Sequence, residues 1–458
     1  MRLYETSMHL SEGLDGADPL KQISDSVLAS LPAGTTPIRV AVTQSDAGSV
    51  HLELGVIEHD AGIFPIAPIF DFERRSIENT REFNAVLLVP TGIGALVGGH
   101  AGDAGPVARL LASVCDKLIT HPNVVNASDI NEMTENTLYV EGSVVCRLLM
   151  GTIGLQPVRS NRILTVVEKH PTDEIFVNGA INAVNAARAS TGLNCSQILL
   201  LDPAMQLITE YSSSGRAVGH VERLTNLFDR LSELRGEYDS IALTSIIKIP
   251  TRALHKQYFE SRGKMINPWG GVEAIFTHAI SSAFDVQSAH SPMIEDQLVS
   301  NMDVGVVDPR LAAEAISFTY MQCILKGLQR APKIITDRRA MAHSSVISAT
   351  DISCIVIPAG CIGIPTLAAL AQGITVIAVR ENTNIMRNDL TLLPWASDQL
   401  IVVDTYLEAL GAMAALRAGI AVDTLRRPIS NAYVSNTGRA NAERKDQVLS
   451  QHISGTKN

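Results

Sequence analysis

A chain of 458 residues corresponds to two or three domains at roughly 100–200 residues each, and a hydrophobic content of 46% supplies a substantial core. A disordered or fibrous protein is thereby excluded. Charged residues make up 18%, and 37 Lys+Arg against 47 Asp+Glu leave a net charge of −10, which disfavours phosphate backbones and anionic lipid as partners.

No apolar stretch reaches the roughly 18 residues of a spanning helix, because Arg147 interrupts 143–155 and Arg417 interrupts 409–422. The opening MRLYETSMHLSEG acquires Glu5 and Glu12 where a signal peptide places an apolar run. Six cysteines are scattered without CxxC spacing. The expectation is a soluble, cytoplasmic protein with reduced thiols, no membrane or nucleic-acid partner, a small-molecule ligand and association into a homo-oligomer.

In chain order, RVAVTQ (39–44), a Gly-containing turn and VHLELGVI (50–57) predict a β-hairpin. NAVLLVP (84–90) reads as a strand entering a Gly-rich loop, followed by helical spacing of Val107, Leu110, Leu111, Val114 and Leu118. The same strand–helix grammar recurs at 163–168, 175–189, 198–202, 221–234 and 241–246. Beyond helices at 272–284 and 311–328, it resumes at 354–360, 365–372, 375–380, 400–404 and 407–418. Such alternation predicts an α/β fold: two Rossmann-like lobes with mostly parallel sheets and an N-terminal β-hairpin. The expected boundaries are 1–255, 256–430 and a polar tail, 431–458.

The densest candidate for chemistry is TGIGALVGGHAGDAGP (91–106), between a strand and a helix. Gly98, Gly99 and Gly102 let a backbone approach a ligand closely, and a helix start at Pro106 favours an anion. His100 is the candidate acid–base group, oriented by Asp103, with His121 as a further catalytic histidine. The next polar loop, THPNVVNASDIN (120–131), offers Asn123, Asn126 and Asp129 to a ligand. His100, Asp103, His121 and His170 form no metal motif such as HExxH, and no metal is assigned. The loop lacks the third glycine of a dinucleotide fingerprint and no GK[ST] follows, so no cofactor is assigned.

NPWGGVE (267–273) places Asn267, Trp269, Gly270 and Glu273 at a helix start, where an aromatic ring beside glycines can wall a pocket. The His-Ser pairs at 290–291 and 343–344 lack the setting of a hydrolase nucleophile. In the C-terminal part, Gly360 and Cys361 follow one strand and Arg380, Glu381 and Asn384 follow the next. A thiol near a helix start is a candidate nucleophile. Arg380, with the Gly98 and Gly99 amides, is the expected anion grip, and Arg380→Ala is expected to weaken binding by roughly 1.5–3 kcal/mol.

Together, GIGALVGGHAGDAG, THPNVVNASDINEM, NPWGGVEA, VVDPRLAAEA and PAGCIGIPTLAALAQGITVIAVRENTN resemble a bacterial and cyanobacterial family catalogued as domain of unknown function 3326. The resemblance runs from about 36 to about 430 and implies one evolutionary unit. Residues 354–418 are also similar to the nucleotide-binding lobe of non-hydrolysing sugar-nucleotide 2-epimerases and two-lobed glycosyltransferases. Those proteins place an acidic side chain early in the helix after the Gly turn, and IGIPTLAA (362–369) carries none. The leading expectation is an enzyme (transferase, isomerase or lyase) acting on a small anionic, phosphorylated or nucleotide-linked metabolite in a cleft between the lobes. The alternatives are a binding regulator without catalysis, an enzyme like the sugar-nucleotide epimerases or transferases, and an assembly protein whose glycines serve only packing.

Overall fold

The computed structural model describes residues 1–59, 66–317, 319–429, 431–432 and 434. The tail expected from 431 onward otherwise lies outside the described residues. The fold is α/β, as the alternation of patterns predicts. Six short apolar strands form a wholly parallel sheet in the order Leu400–Val403, Thr375–Val379, Ile352–Pro358, Asn84–Leu87, Lys117–Thr120, Thr137–Tyr139. Their side chains are mostly buried on both faces, which is why they read as continuous apolar runs.

The second sheet is mixed. The expected hairpin is present, with Thr35–Ser45 antiparallel to Val50–Glu58, and Arg2–Leu10 pairs antiparallel along the hairpin's other side. The sheet continues through Ala217–Glu222 and Gln206–Tyr211 to a parallel group formed by Ser240–Lys248, Ile163–Glu168, Gln197–Leu201 and Gln287–Met293. "Mostly parallel" therefore describes the first sheet and one half of the second.

The sheets do not divide at 255/256. The parallel sheet joins strands 84–139 to strands 352–403, while Gln287–Met293 and Ile362–Gly363 belong to the larger sheet with the N-terminal strands. The chain lays down Asn84–Leu87 first, builds outward on one side, and returns much later to pair Ile352–Pro358 on the other. The strand order reverses between these two neighbours, and a crevice opens there beyond their carboxyl ends.

Local differences follow from length and dihedrals. Leu118 and Val221, at helical spacing in sequence, lie in the strands Lys117–Thr120 and Ala217–Glu222. The helical pattern at 311–328 is broken at Tyr320, whose φ is +47°, leaving Ala312–Ala315 and Met321–Gln329. Among the described residues no helix is long and apolar enough to cross a membrane.

Helix Gly270–Phe284 joins the two halves. It is apolar nearly all round and buried along most of its length, as expected of a helix packed on several sides. Gly271 allows its first turn to lie on Ala217, where a Cβ would come within 2.1 Å of the Ala217 carbonyl oxygen. Glu273, Ala274, Thr277 and His278 share one face, at spacings of one, three and four residues. That face meets the carboxyl edge of the parallel sheet.

Candidate active site

Three cavities share walls along this junction. A central chamber of about 130 Å³ lies between His121, Asn123, Glu141 and the helix face of Glu273, Thr277 and His278. An outer chamber of about 220 Å³ shares Asn126, Asn267, Glu273 and His290 with it and adds Trp269 and Glu314. An inner chamber, also of about 130 Å³, shares Thr91, His121, Gly142, Ala274 and His278 with the central one.

The carboxyl end of Thr137–Tyr139 delivers Glu141 as the N-cap of helix Gly142–Leu149. Its Oε2 accepts from the Ser143 amide at 2.8 Å and from the Ser143 hydroxyl, with the Val144 amide at 3.4 Å. Its Oε1 accepts from Thr277 Oγ1 at 3.1 Å and from His278 Nδ1 at 2.5 Å. Burial alone raises this carboxyl, but His278 and the hydroxyl and amide donors outweigh it and hold the group below its ordinary value. Glu141 thus fixes the proton of His278 on Nδ1, and Nε2 has no hydrogen-bond partner among the described residues. An imidazole held in this way is arranged as a base.

A second histidine–carboxylate pair lies one wall away. His290 Nδ1 donates to Glu273 Oε1 at 2.9 Å, while Ser245 Oγ donates to His290 Nε2 at 2.8 Å. The order Ser–His–Glu resembles a nucleophile relay, yet Ser245 has no accessible surface. It orients His290, and His290 in turn positions Glu273 at the chamber wall.

Glu314 is the third carboxyl. Oε1 accepts from the Ala101 amide at 2.6 Å and from Asn267 Nδ2 at 3.1 Å. Burial raises its pKa to about 7, with the nearby Asp103 and Glu273 charges adding to the shift. Tyr258 bonds its side chain and also meets His100 Nδ1 at 2.8 Å. The folded state therefore binds this proton more tightly than the unfolded chain, whose carboxyl titrates near 4.5. The resulting stability is fully present below pH 4.5 and is lost as pH rises through about 7. Compared with Glu314→Gln, whose amide stays neutral, the wild type is expected to lose stability between about pH 5 and about pH 8. Urea unfolding midpoints of both proteins at the two pH values check this, and a constant difference between them would refute it.

Of the residues singled out in sequence, the structure gathers His121, Asn123, Asn126, Asn267, Trp269, Gly270 and Glu273 around the outer and central chambers. His121 Nε2 accepts from the Val89 amide at 3.1 Å, and burial lowers its pKa to about 4, so the ring is neutral with its proton on Nδ1. Cys361 lines the inner chamber, but burial pushes its thiol well up, which removes the activated-nucleophile reading.

The remaining expected positions serve the scaffold. His100 is buried behind Glu314 against Tyr258 and lines none of these chambers, and burial lowers its pKa. Asp103 meets the backbone of His100 and not its ring, which Tyr258 orients: its Oδ1 accepts the Gly98 amide at 2.8 Å, and burial raises its pKa to about 7. That amide is therefore unavailable to an anion. Gly99 and Gly102 permit tight packing, since a Cβ would come within 2.1 Å of the Ala95 carbonyl oxygen and 2.2 Å of Ala127 Cβ respectively. The helix start at Gly105 and Pro106 lines a separate cleft with Ala127 and Met133. Asp129 accepts from Ser317, Thr319 and Gln322, and His170 accepts from the Thr172 and Asp173 amides.

Arg380 does not reach any of the three chambers. It pairs with Asp404 at 2.9 Å, both side chains being about two-thirds exposed at 64% and 66%. Glu381 accepts from the Tyr406 amide at 2.6 Å, while Asn384 and the Gly360 carbonyl bond within neighbouring turns. The composite cleft of His100 with Arg380 is thus replaced by an interior site. Arg380→Ala is expected to change stability by about 0–1 kcal/mol, as for an exposed ion pair, and to leave ligand binding unaltered; thermal unfolding and calorimetry of the variant check both.

Glu141, His278, His290, Glu314, Arg39 and Arg216 carry the site's charge and lay outside the candidates named from sequence, although the His290-Ser291 pair was noted. One signal was present: Glu273 and His278 interrupt an otherwise apolar helix, and polar groups buried in such a helix need partners. Among the described residues no Lys or Arg lines the outer or central chamber.

Residues 84–426 match the family described as "Protein of unknown function (DUF3326)". A relative from Synechococcus sp., called an uncharacterized lipoprotein, is 34% identical over 343 residues, covering 74% of this chain and 92% of its own. That name corrects the cytoplasmic expectation, because a lipoprotein is anchored at a membrane. No solved structure matches the chain.

Proposed function

The chain belongs to the DUF3326 family, and on the geometry of its interior we propose that it is an enzyme moving a proton on a small polar molecule held in the central and outer chambers. The observation that carries this reading is the Glu141–His278 pair: a buried, multiply bonded carboxylate commits Nδ1 and leaves Nε2 at the wall of a cavity. In the proposed mechanism, His278 removes a proton. Glu314, half-protonated near neutral pH, donates one. Asn126, Asn267 and Glu273 orient the substrate, and Trp269 covers its apolar side. Glu141 and Glu273 in the wall of the central chamber favour an uncharged or cationic substrate there.

The test is metabolite profiling of a strain lacking the protein, followed by incubation of the accumulated compound with the purified chain. Turnover that His278→Gln abolishes is expected. Saturable binding without turnover would instead make the protein a sensor of that compound and overturn the catalytic reading.

A further inference from the structure

The inner chamber lies where strand order reverses in the parallel sheet. Leu88, Pro90 and Thr91 reach it beyond Asn84–Leu87, and Ile357 and Cys361 reach it at the end of Ile352–Pro358. Open parallel sheets take ligands at this place. Most of the lining is aliphatic, yet two guanidinium groups, Arg39 and Arg216, also stand in its wall.

Arg216 is buried, with 1% of its side chain accessible. Its Nη1 donates to Glu53 Oε2 at 2.5 Å and Glu5 Oε2 at 3.3 Å. Nε and Nη2 are buried without a hydrogen-bond partner among the described residues. These two atoms form one edge of the guanidinium fork, and two buried donor nitrogens left unbonded are costly. Arg39, by contrast, is occupied by Glu5 at 3.0 Å and by the carbonyls of Thr91 and Gly271.

Charge distinguishes the ligands this edge could accept. Arg39 and Arg216 are already matched by Glu5 and Glu53, and Glu141 stands nearby, so another buried anion would lack a counter-charge. An uncharged oxygen acceptor completes the fork without that cost. The volume of about 130 Å³ is close to that of cavities that hold benzene, which sets the size at about six heavy atoms.

We propose that the inner chamber is a binding site for a small uncharged aliphatic carbonyl compound, its oxygen accepting from Arg216 Nε and Nη2 and its hydrocarbon part lying against Ile38, Ile69 and Ile364. Binding here does not depend on the acid–base reading, and a protein without catalysis could retain it. His121 and His278 face the same chamber, so a molecule held there lies beside the groups of the central one.

The probes are isobutyramide and isobutyrate, which share a shape and differ in charge. In methyl-labelled full-length protein, isobutyramide at millimolar concentration is expected to shift the Ile38, Ile69 and Ile364 methyl resonances saturably. Isobutyrate is expected to bind at least ten times more weakly. Arg216→Lys keeps a cation for Glu5 and Glu53 but removes the fork edge, and is expected to weaken isobutyramide at least tenfold. Should that variant fail to fold, the wild-type comparison decides alone. Absence of saturable shifts at these methyls, or tighter binding of isobutyrate, overturns the proposal. Binding that survives in His278→Gln while turnover is lost separates this site from the catalytic reading.

Discussion

Arg216→Met is expected to lower stability by about 3–5 kcal/mol, the usual cost of breaking a buried ion pair by removing one partner. Methionine fills much of the volume, so the loss is electrostatic more than steric. Glu5 keeps Arg39 at 3.0 Å, but Glu53 loses the short contact to Arg216 Nη1 that neutralises it in the interior. A second change, Glu53→Gln, removes the stranded charge and is expected to restore most of the loss. Urea unfolding of the single and double variants measures both. Equal destabilisation of Arg216→Met and the double variant would mean that the pair contributes packing alone.

His278→Gln is expected to reduce turnover of the accumulated metabolite by about 10²–10⁴-fold, the range for loss of a positioned acid–base group. Glutamine preserves a donor toward Glu141 but offers no group that can cycle a proton. Glu141→Gln should act in the same direction through another route, because an amide no longer holds the imidazole proton on Nδ1 or stabilises the charged ring. The two losses should be strongly non-additive, since one group acts through the other. Single and double variants assayed on one substrate show this, and independent, multiplying losses would argue against a pair working as a unit.

These effects concentrate on residues brought from distant parts of the chain. Helix Gly270–Phe284 supplies Glu273 and His278, the edge of the parallel sheet supplies His121 and Glu141, and the mixed sheet supplies Arg39 from the strand Thr35–Ser45 and Arg216 from the turn before Ala217–Glu222. His121 and Glu273 lie in segments whose polar residues stand out in sequence, whereas Arg39, Glu141 and His278 lie where the local pattern announces only burial. The loops that looked richest in chemistry by composition, 98–105 and 380–384, instead spend most of their polar side chains on the scaffold, although the Ala101 amide of the first holds Glu314.

The amino-acid sequence by itself determined the α/β class, the hairpin, half of the described strands and the existence of a Gly-rich turn at 92–105. Those features follow from short-range periodicity and from dihedrals that only glycine takes readily, as at Gly98 with φ of +85°. It also disclosed the polar loop at 120–131 and NPWGG at 267–271, because exposed or pocket-facing polar groups stand out against apolar runs. Only the tertiary structure decided that 84–139 and 352–403 form one sheet, and that the second half of the chain returns to complete the first. Strand neighbours so far apart in sequence are chosen by which buried faces fit and by where the chain reverses, and neither leaves a local periodic mark. The same physics hid the Glu141–His278 and Arg216–Glu53 pairs: a buried charge is tolerable only beside its partner, and that partner is named by the fold.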